Sequence, residues 1–335
     1  MKKLSNKVTR TAFCTLCAFA TLVVSGKAAV AASTYPDRPI TIVVGYPAGG
    51  SVDLNGRVVA ETLAKKIGTN VVVENLGGAG GTIGAQKVIR ARPDGYTLLV
   101  GSLNEVVIAS LVNPAVKYNG ITDLQAIGLI GDQPLVLTAS KMSDIKNTAD
   151  LVKVATSGKS DSYSYGSSGV GTSLHMAGEM INAETGARFL HVPYRGVAPL
   201  VTDLTSGRLP LGVFALSSAL PQIQSGQITA IGVTSAKRSS FASNIPALAE
   251  NPALKAMDIS VWFGLFGPKG MPEDVIKKLQ VSLLQVLADP GFQAQYQKTG
   301  SNIMHTQPDL AAFFQAEHNK FKKLAETASI ATERP

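Results

Sequence analysis

Cysteine is nearly absent from this chain: there are two, Cys14 and Cys17, both within the first twenty residues. The remainder therefore has no disulfide framework and no thiolate zinc or redox site. Charge is also sparse, at 16% Asp, Glu, Lys and Arg, where an average soluble domain carries roughly 25%. With 45% hydrophobic residues, that balance excludes a disordered, collagen-like or disulfide-stapled chain. Long hydrophobic runs are missing too, since beyond the first thirty residues no segment reaches the ~18 uninterrupted apolar residues of a membrane span. The histidines are His175, His191, His305 and His318. No two of them stand at zinc-ligand spacing, so no metal site is expected.

The formal charge of +8 over 335 residues at first suggests a nucleic-acid partner. Its location removes that suggestion. Lys2, Lys3, Lys7 and Arg10 precede an apolar run from Ala12 to Val24, which is followed by the small-residue site Ala29-Val-Ala31. A basic segment, a short apolar segment and an Ala-x-Ala site describe a cleavable secretory signal over residues 1–31. Its apolar run is too short to span a bilayer. Removing its five basic residues from the 31 leaves 26 against 23 acidic groups, a net of +3. Cys14 and Cys17 leave with it. The expected product is an exported, periplasmic protein without lipid anchor or nucleic-acid partner.

Short apolar runs then alternate with amphipathic stretches. Ile40–Val44 reads as a buried strand and Val52–Lys66 as a helix with Leu54, Val58, Val59, Leu63 and Ile67 on one face, capped by Ser51. A strand over 70–74, a glycine-rich loop, a helix reaching Arg90 and a strand over 96–100 continue the rhythm. It restarts after Pro134 with strands near 135–139, 163–165, 189–192, 211–215 and 228–234 and helices near 148–155, 172–183 and 197–206. Such alternation implies βαβ units and mostly parallel sheets. A further strand over 260–266 precedes helices opened by Pro272 and Pro308. A chain that leaves one α/β lobe near residue 134 and re-enters it near 260 makes two lobes joined by two crossovers, with a cleft between them. The expected division is 32–134 plus 260–335 for one lobe and 135–259 for the other.

Three glycine-rich loops follow strands and precede helices: Pro47-Ala-Gly-Gly-Ser51, Leu76-Gly-Gly-Ala-Gly-Gly-Thr82 and Gly166-Ser-Ser-Gly-Val-Gly-Thr-Ser173. Backbone amides at such helix starts attract anions. The simple alternative is that these glycines only make tight turns. Sharper motifs fail. The stretch from Gly78 lacks the third glycine and the later acid of a dinucleotide fingerprint, and Thr172 stands where a phosphate loop needs Lys. Asp53 replaces the second glycine of a nucleophile elbow. A triad built from Ser51 or Ser168 with His175 stays open, because triads assemble across a fold.

Eight stretches in order resemble one family. They are Tyr35-Pro-Asp-Arg-Pro-Ile40, Pro47-Ala-Gly-Gly-Ser-Val-Asp53, Val73-Glu-Asn-Leu-Gly-Gly-Ala-Gly-Gly81, Arg92-Pro-Asp-Gly-Tyr-Thr-Leu98, Gly169-Val-Gly-Thr-Ser-Leu-His175, His191-Val-Pro-Tyr-Arg-Gly196, Trp262-Phe-Gly-Leu-Phe266 and Leu287-Ala-Asp-Pro290. Together they are similar to the periplasmic solute-binding receptors of tripartite tricarboxylate transporters, the Bug or TctC-type receptors, over residues 35–330. The resemblance implies a type II periplasmic-binding-protein fold whose lobes close on a small carboxylated solute, without catalysis, cofactor or metal. Carried over by position, it implies ligand contacts from Tyr46, Ala48, Gly49, Gly50, Ser51 and Asp53 in the first loop. From the facing loop it implies Ser167, Ser168, Gly169, Gly171 and Thr172, with His175 on the next helix. Ser102, Asn104, Arg195 and Ala215 complete the candidate site.

Some positions depart from the family pattern or leave alternatives. Arg195 stands where Lys is usual, which offers a planar fork to a carboxylate or else braces the hinge. Tyr46 either covers the ligand or packs at a strand end. Asp53 orients loop amides more readily than it touches an anion. Trp262 reads as core or hinge packing. Ala215-Leu-Ser217 lacks the acid that many relatives place there for a ligand amine, which favours a simple or aromatic carboxylate over an amino acid. The expected partners are a small carboxylate and either membrane transporter subunits or a sensor kinase, for a monomeric protein. A secreted hydrolase is the competing class.

Overall fold

A computed structural model describes residues 35–327. The predicted export signal, with Cys14 and Cys17, lies outside the described residues. Ten strands are present among them: β1 (Ile40–Val44), β2 (Val71–Asn75), β3 (Thr97–Ser102), β4 (Leu124–Ser140), β5 (Ser164–Ser167), β6 (Leu190–Pro193), β7 (Leu211–Ala215), β8 (Ile228–Val233), β9 (Ser260–Pro268) and β10 (Asn302–Ile303). They run in the order β2-β1-β3-β9-β4-β7-β5-β6, with β8 and β10 also paired to β4.

The first half is built on β1, parallel to both β2 and β3. Its Ile-Thr-Ile-Val-Val sequence is β-branched throughout, which suits a strand covered on both faces. Ile40, Ile42, Val43 and Val44 are fully buried. The helix Ser51–Ile67 follows, burying Val52, Val59, Leu63 and Ile67, and ends at Gly68, whose left-handed backbone returns its amide to the Ala64 carbonyl. In the second half β5, β6 and β7 are parallel. The middle of the sheet is antiparallel, because β9 comes back from the second half against both β3 and β4.

β4 is the long strand that both halves share, and only its second part, 135–139, is legible from sequence. Gly128, Gly131, Gln133 and Pro134 mimic a loop. Register shifts at Ala126/Gly128 and Leu129/Gly131 absorb the irregularity. Pro134 falls where β4 leaves β9 and, from Leu135, takes up β7, a position that tolerates a missing amide. The return crossing is fastened beside it. The Thr234 amide donates to the Leu135 carbonyl at 3.0 Å, the Ile259 amide donates to the Thr234 carbonyl at 3.0 Å, and the Thr234 hydroxyl reaches the Ile259 carbonyl at 2.7 Å. Both passages between the halves are thus held side by side.

The helix Leu310–Thr327 closes the fold against β9. Trp262 is 3% exposed, lies 5.4 Å from the Phe314 ring, and donates its indole N–H to Glu317 Oε2 at 2.9 Å. It is a core residue. Among the described residues no helix is long and apolar enough to cross a membrane, and no group of three or more His, Cys, Asp or Glu is placed to hold a metal ion.

Candidate functional site

A cavity of about 470 Å³ opens between the loop after β1, the loop after β3, and the helices that follow β6 and β7. That volume suits a small metabolite. Tyr46, Ala48, Gly49, Gly50, Ser51, Asn104, Ser168, Arg195 and Ala215, nine of the sixteen predicted site residues, line it. They come from both halves of the sheet, and contacts cross the cleft. Asn104 Oδ1 accepts the Ser173 amide at 2.6 Å. A Cβ on Gly196 would stand 3.5 Å from the Pro47 ring.

Three helix starts bring backbone amides to this space: Ser51–Ile67 after Gly50, Val197–Thr205 after Gly196, and Leu216–Gln224 after Ala215. None is capped by the side chain of its own cap residue, but in the third the Ser217 amide is taken by Gln133 Oε1 at 3.0 Å. Ser51 was expected to cap the first. It instead occupies the first helical position, and Gly50 is the cap residue. The amides of an uncapped first turn have no partner within the helix and carry the positive end of its dipole. The Val197 and Leu216 helices have no acid in their first turns. Arg195 is the single charged side chain lining the cavity and forms no ion pair with any described residue. An anion entering here meets convergent donors, one cation and no competing carboxylate.

The other seven predicted residues lie outside the lining and shape it from behind. Asp53 accepts the Gly49 amide at 2.9 Å, Arg57 Nε at 3.0 Å and Asn75 Nδ2 at 2.8 Å. Burial alone would raise its carboxyl, but the bonds from Arg57, Gly49 and Asn75 hold it below the ordinary value. A permanent carboxylate therefore orients the first loop. Ser167, Gly169, Gly171 and Thr172 brace the facing loop internally. Ser167 Oγ meets the Gly169 amide at 3.2 Å, and Thr172 Oγ1 donates to the Gly169 carbonyl at 2.9 Å. The buried His175 accepts the Gly171 amide on Nδ1 at 3.2 Å and stacks on His191 with centroids 3.9 Å apart. Ser102 is fully buried and is bonded to Glu105 through its amide at 2.8 Å and its hydroxyl at 2.7 Å.

Glu105 went unnoticed in the sequence. It begins inside a π-helical turn, Asn104–Ile108, an irregularity that often marks functional positions. Burial pushes its carboxyl up to about 7, against hydrogen bonds from Ser102 and Tyr46 that favour the anion. Tyr46 links it to the cavity. That hydroxyl donates to the Gly80 carbonyl at 2.7 Å, receives Asn104 Nδ2 at 2.9 Å and lies 3.2 Å from Glu105 Oε2. Gly81 permits the arrangement, since a Cβ there would stand 2.9 Å from both the Tyr46 ring and Glu105 Oε2.

Sequence reasoning also missed Gly196–Pro199, Val201, Ser217, Ser218, Pro221 and Gln222 in the lining. The first group carried a usable signal, a glycine between a strand and a helix, as in the other loops. The second did not, because Pro221 inside Leu216–Gln224 reads as a helix breaker.

Residues 56–330 match the model of the tripartite tricarboxylate transporter family receptor, TctC. The chain belongs to that family. Its structure resembles the periplasmic binding protein BugD, with a TM-score of 0.82, 33% identity, and coverage of 88% of this chain and 99% of that one. It is similar to an R. palustris protein solved with adipate, with a TM-score of 0.83, 29% identity, and coverage of 88% and 98%. It is also similar to MatC from Rhodopseudomonas palustris, solved with bound malate, with a TM-score of 0.80, 25% identity, and coverage of 87% and 99%. The fold is accordingly the two-lobed α/β fold of the periplasmic binding proteins.

Proposed function

We propose that this chain is an extracytoplasmic receptor that captures a small organic carboxylate between its lobes and delivers it, unchanged, to a tripartite tricarboxylate-type transporter in the membrane. The observation that carries this reading is the convergence of the uncapped helix starts after Gly50 and Gly196 and of Arg195 on one cavity whose lining holds no acidic side chain. Charge-assisted hydrogen bonds contribute about 1.5–3 kcal/mol each. A handful of them, reinforced by exclusion of water as the lobes close, accounts for capture of a dilute anion. The adipate and malate of the two structural relatives are of the same chemical class. With no carboxylate in the lining to meet an ammonium group, a simple or aromatic carboxylate is favoured over an amino acid.

We assign the nine lining residues as ligand contacts and the seven behind them as supports. The lobes divide at 134/135 and near 260, where β4 exchanges partners and β9 begins. Family membership and the predicted export signal support a periplasmic protein. The hydrolase alternative needs a histidine beside a pocket serine. Ser51 and Ser168 line the cavity, but His175 lies outside the lining and is held by the Gly171 amide, which favours binding over turnover.

The test is a thermal-shift panel on protein freed of co-purified ligand, covering mono-, di- and tricarboxylates, nicotinate, phthalates and acidic amino acids. A ligand at a hundred times its Kd adds about 2.7 kcal/mol of stability. If no carboxylate raises the melting temperature, and native mass spectrometry finds none retained, the receptor reading is wrong.

A further inference from the structure

Carboxylate capture leaves one buried acid beside the cavity without a role. Glu105 is 1% exposed and lies one side chain behind the lining, which Tyr46 and Asn104 form at that point. Its Oε2 is 3.2 Å from the Tyr46 hydroxyl, and that hydroxyl oxygen accepts Asn104 Nδ2 at 2.9 Å. The other end of the Asn104 carboxamide takes the Ser173 amide of the facing lobe at 2.6 Å. A continuous chain of bonds thus runs from the facing lobe, along the cavity wall, to a carboxyl group. That chain accommodates either protonation state. Tyr46 has one proton and two acceptors in reach, the Gly80 carbonyl at 2.7 Å and Glu105 Oε2. With Glu105 ionised, the Ser102 amide and hydroxyl serve the carboxylate at 2.8 and 2.7 Å. With Glu105 protonated, Oε2 donates to the Tyr46 oxygen, whose own proton goes to Gly80, and no bond is lost. Burial sets the midpoint between the two states at about 7.

The titratable groups that touch Glu105 are the phenols of Tyr46 and Tyr118, the latter donating to its carbonyl at 2.8 Å, and burial keeps both neutral. Elements packed against its turn carry Lys87, Asp123, Glu317, His318, Lys320, Lys322, Lys323 and Glu326. Lys87 is paired with Glu74, Asp123 takes the Asn119 amide and Glu317 the Trp262 indole. The side-chain bonds to the Glu105 carboxyl come from Ser102 and Tyr46, both uncharged. A carboxylate in the cavity adds a negative charge in front of Tyr46 and Asn104, and lobe closure removes the water that would screen it. Both disfavour the Glu105 anion. The donors aligned through Asn104 and Tyr46 act the other way, but Tyr46 has a nearer acceptor in the Gly80 carbonyl. Resting on the receptor reading above, we propose that capture of a carboxylate is coupled to uptake of a proton by Glu105, so that the ligand is held more tightly in acidic than in alkaline surroundings. Two like charges about 10 Å apart, at an effective dielectric of about 20, shift such an equilibrium about tenfold.

Calorimetric titration of the purified chain tests this, with adipate, malate, benzoate and nicotinate as probes. All four are ionised throughout pH 7–9 and bring no proton of their own. Repeating each titration at about pH 7.5 in Tris, imidazole and HEPES, whose ionisation enthalpies differ, counts the protons exchanged. For every acid that binds, the native chain should take up about half a proton per ligand, and affinity should fall about fivefold or more between pH 7 and 9. Glu105→Gln fixes the uncharged form. It should exchange no proton and bind at pH 9 about as tightly as the native chain does at pH 7, an outcome that a merely structural role for Glu105 does not produce. Binding to the native chain without uptake, or with release, overturns the proposal whatever the variant does. Uptake that persists in Glu105→Gln overturns it as well. Failure of all four acids to bind counts against the receptor reading and takes this proposal with it.

Discussion

Glu105→Gln isolates the cost of a carboxyl that the fold buries beside the cavity. The residue is 1% exposed, and burial pushes its carboxyl up to about 7 from an ordinary value of 4.5. A group whose folded-state value is raised binds more protons folded than unfolded between those two pH values. Its contribution to stability is thus complete below about 4.5 and is lost as pH rises through about 7. The difference corresponds to about 3 kcal/mol. Glutamine keeps the shape, its oxygen can still accept the Ser102 amide, and the Ser102 and Tyr46 hydroxyls can turn to receive its NH₂. At pH 4.5–5 the variant and the native chain should be about equally stable. By pH 8 the variant should be more stable by about 3 kcal/mol, with most of the gain between pH 5 and 7.5. Urea unfolding at half-unit pH intervals gives the curve. A stability difference that stays flat within about 0.5 kcal/mol from pH 5 to 8 would refute the claim that Glu105 ionises at a cost inside the fold.

The stacked histidines give the opposite sign: burial pushes His175 down to about 4 and His191 to about 3, the latter helped by the charge of its neighbour. Their stabilising contribution is complete above about 6.5 and is lost as pH falls toward those values, so His191→Gln should flatten the acid limb of a melting-temperature profile between pH 6 and 4; an unchanged limb contradicts it. Gly50→Val adds a Cβ whose nearest neighbour is the Pro47 carbonyl at 3.7 Å, on a backbone at φ −80° that any residue adopts. It should leave stability within about 0.5 kcal/mol yet weaken carboxylate binding about 100-fold, equivalent to two lost charge-assisted bonds, as read by calorimetry. Gly171→Val should instead lower stability by about 2 kcal/mol or more, because Gly171 has φ +72° and its Cβ would stand 2.6 Å from Val112; equal unfolding midpoints would disprove this. Asn104→Ala removes the acceptor of the Ser173 amide across the cleft and should cost about tenfold in ligand affinity; unchanged affinity would show that this bond plays no part in closure.

Local chemistry was readable along most of the chain because strands and helices here obey their own periodicities. Ile40–Val44 and Leu211–Ala215 fall where β-branched and apolar runs place them, and the helix after Gly50 extends the predicted one by a residue at each end. Of the three glycine-rich loops read as anion-binding helix starts, only Pro47–Ser51 brings an uncapped helix start to the cavity; Leu76–Thr82 lies outside the lining, and the Thr172 side chain caps the helix after Gly166–Ser173. The family was legible too, since eight short motifs in order are a one-dimensional pattern.

What sequence reading missed depends on residues far apart in the chain. The first part of β4, with its glycines and Pro134, becomes a strand only because β9 arrives beside it from more than 120 residues later. The helix Leu216–Gln224 survives its internal proline by packing on β4 and β8. Within the predicted site, only the folded chain separates residues that line the cavity from those behind it: Asp53 and His175 are bound by neighbours behind the wall, while Arg195 and Ser168 reach the cleft. Glu105 has no motif at all, and burial alone makes its ionisation unusual. The sequence by itself determined the periodicities and the family, each a matter of residues adjacent in the chain. Tertiary structure alone decided which polar atoms are satisfied and which still need a partner, because desolvation depends on everything that folds around a group.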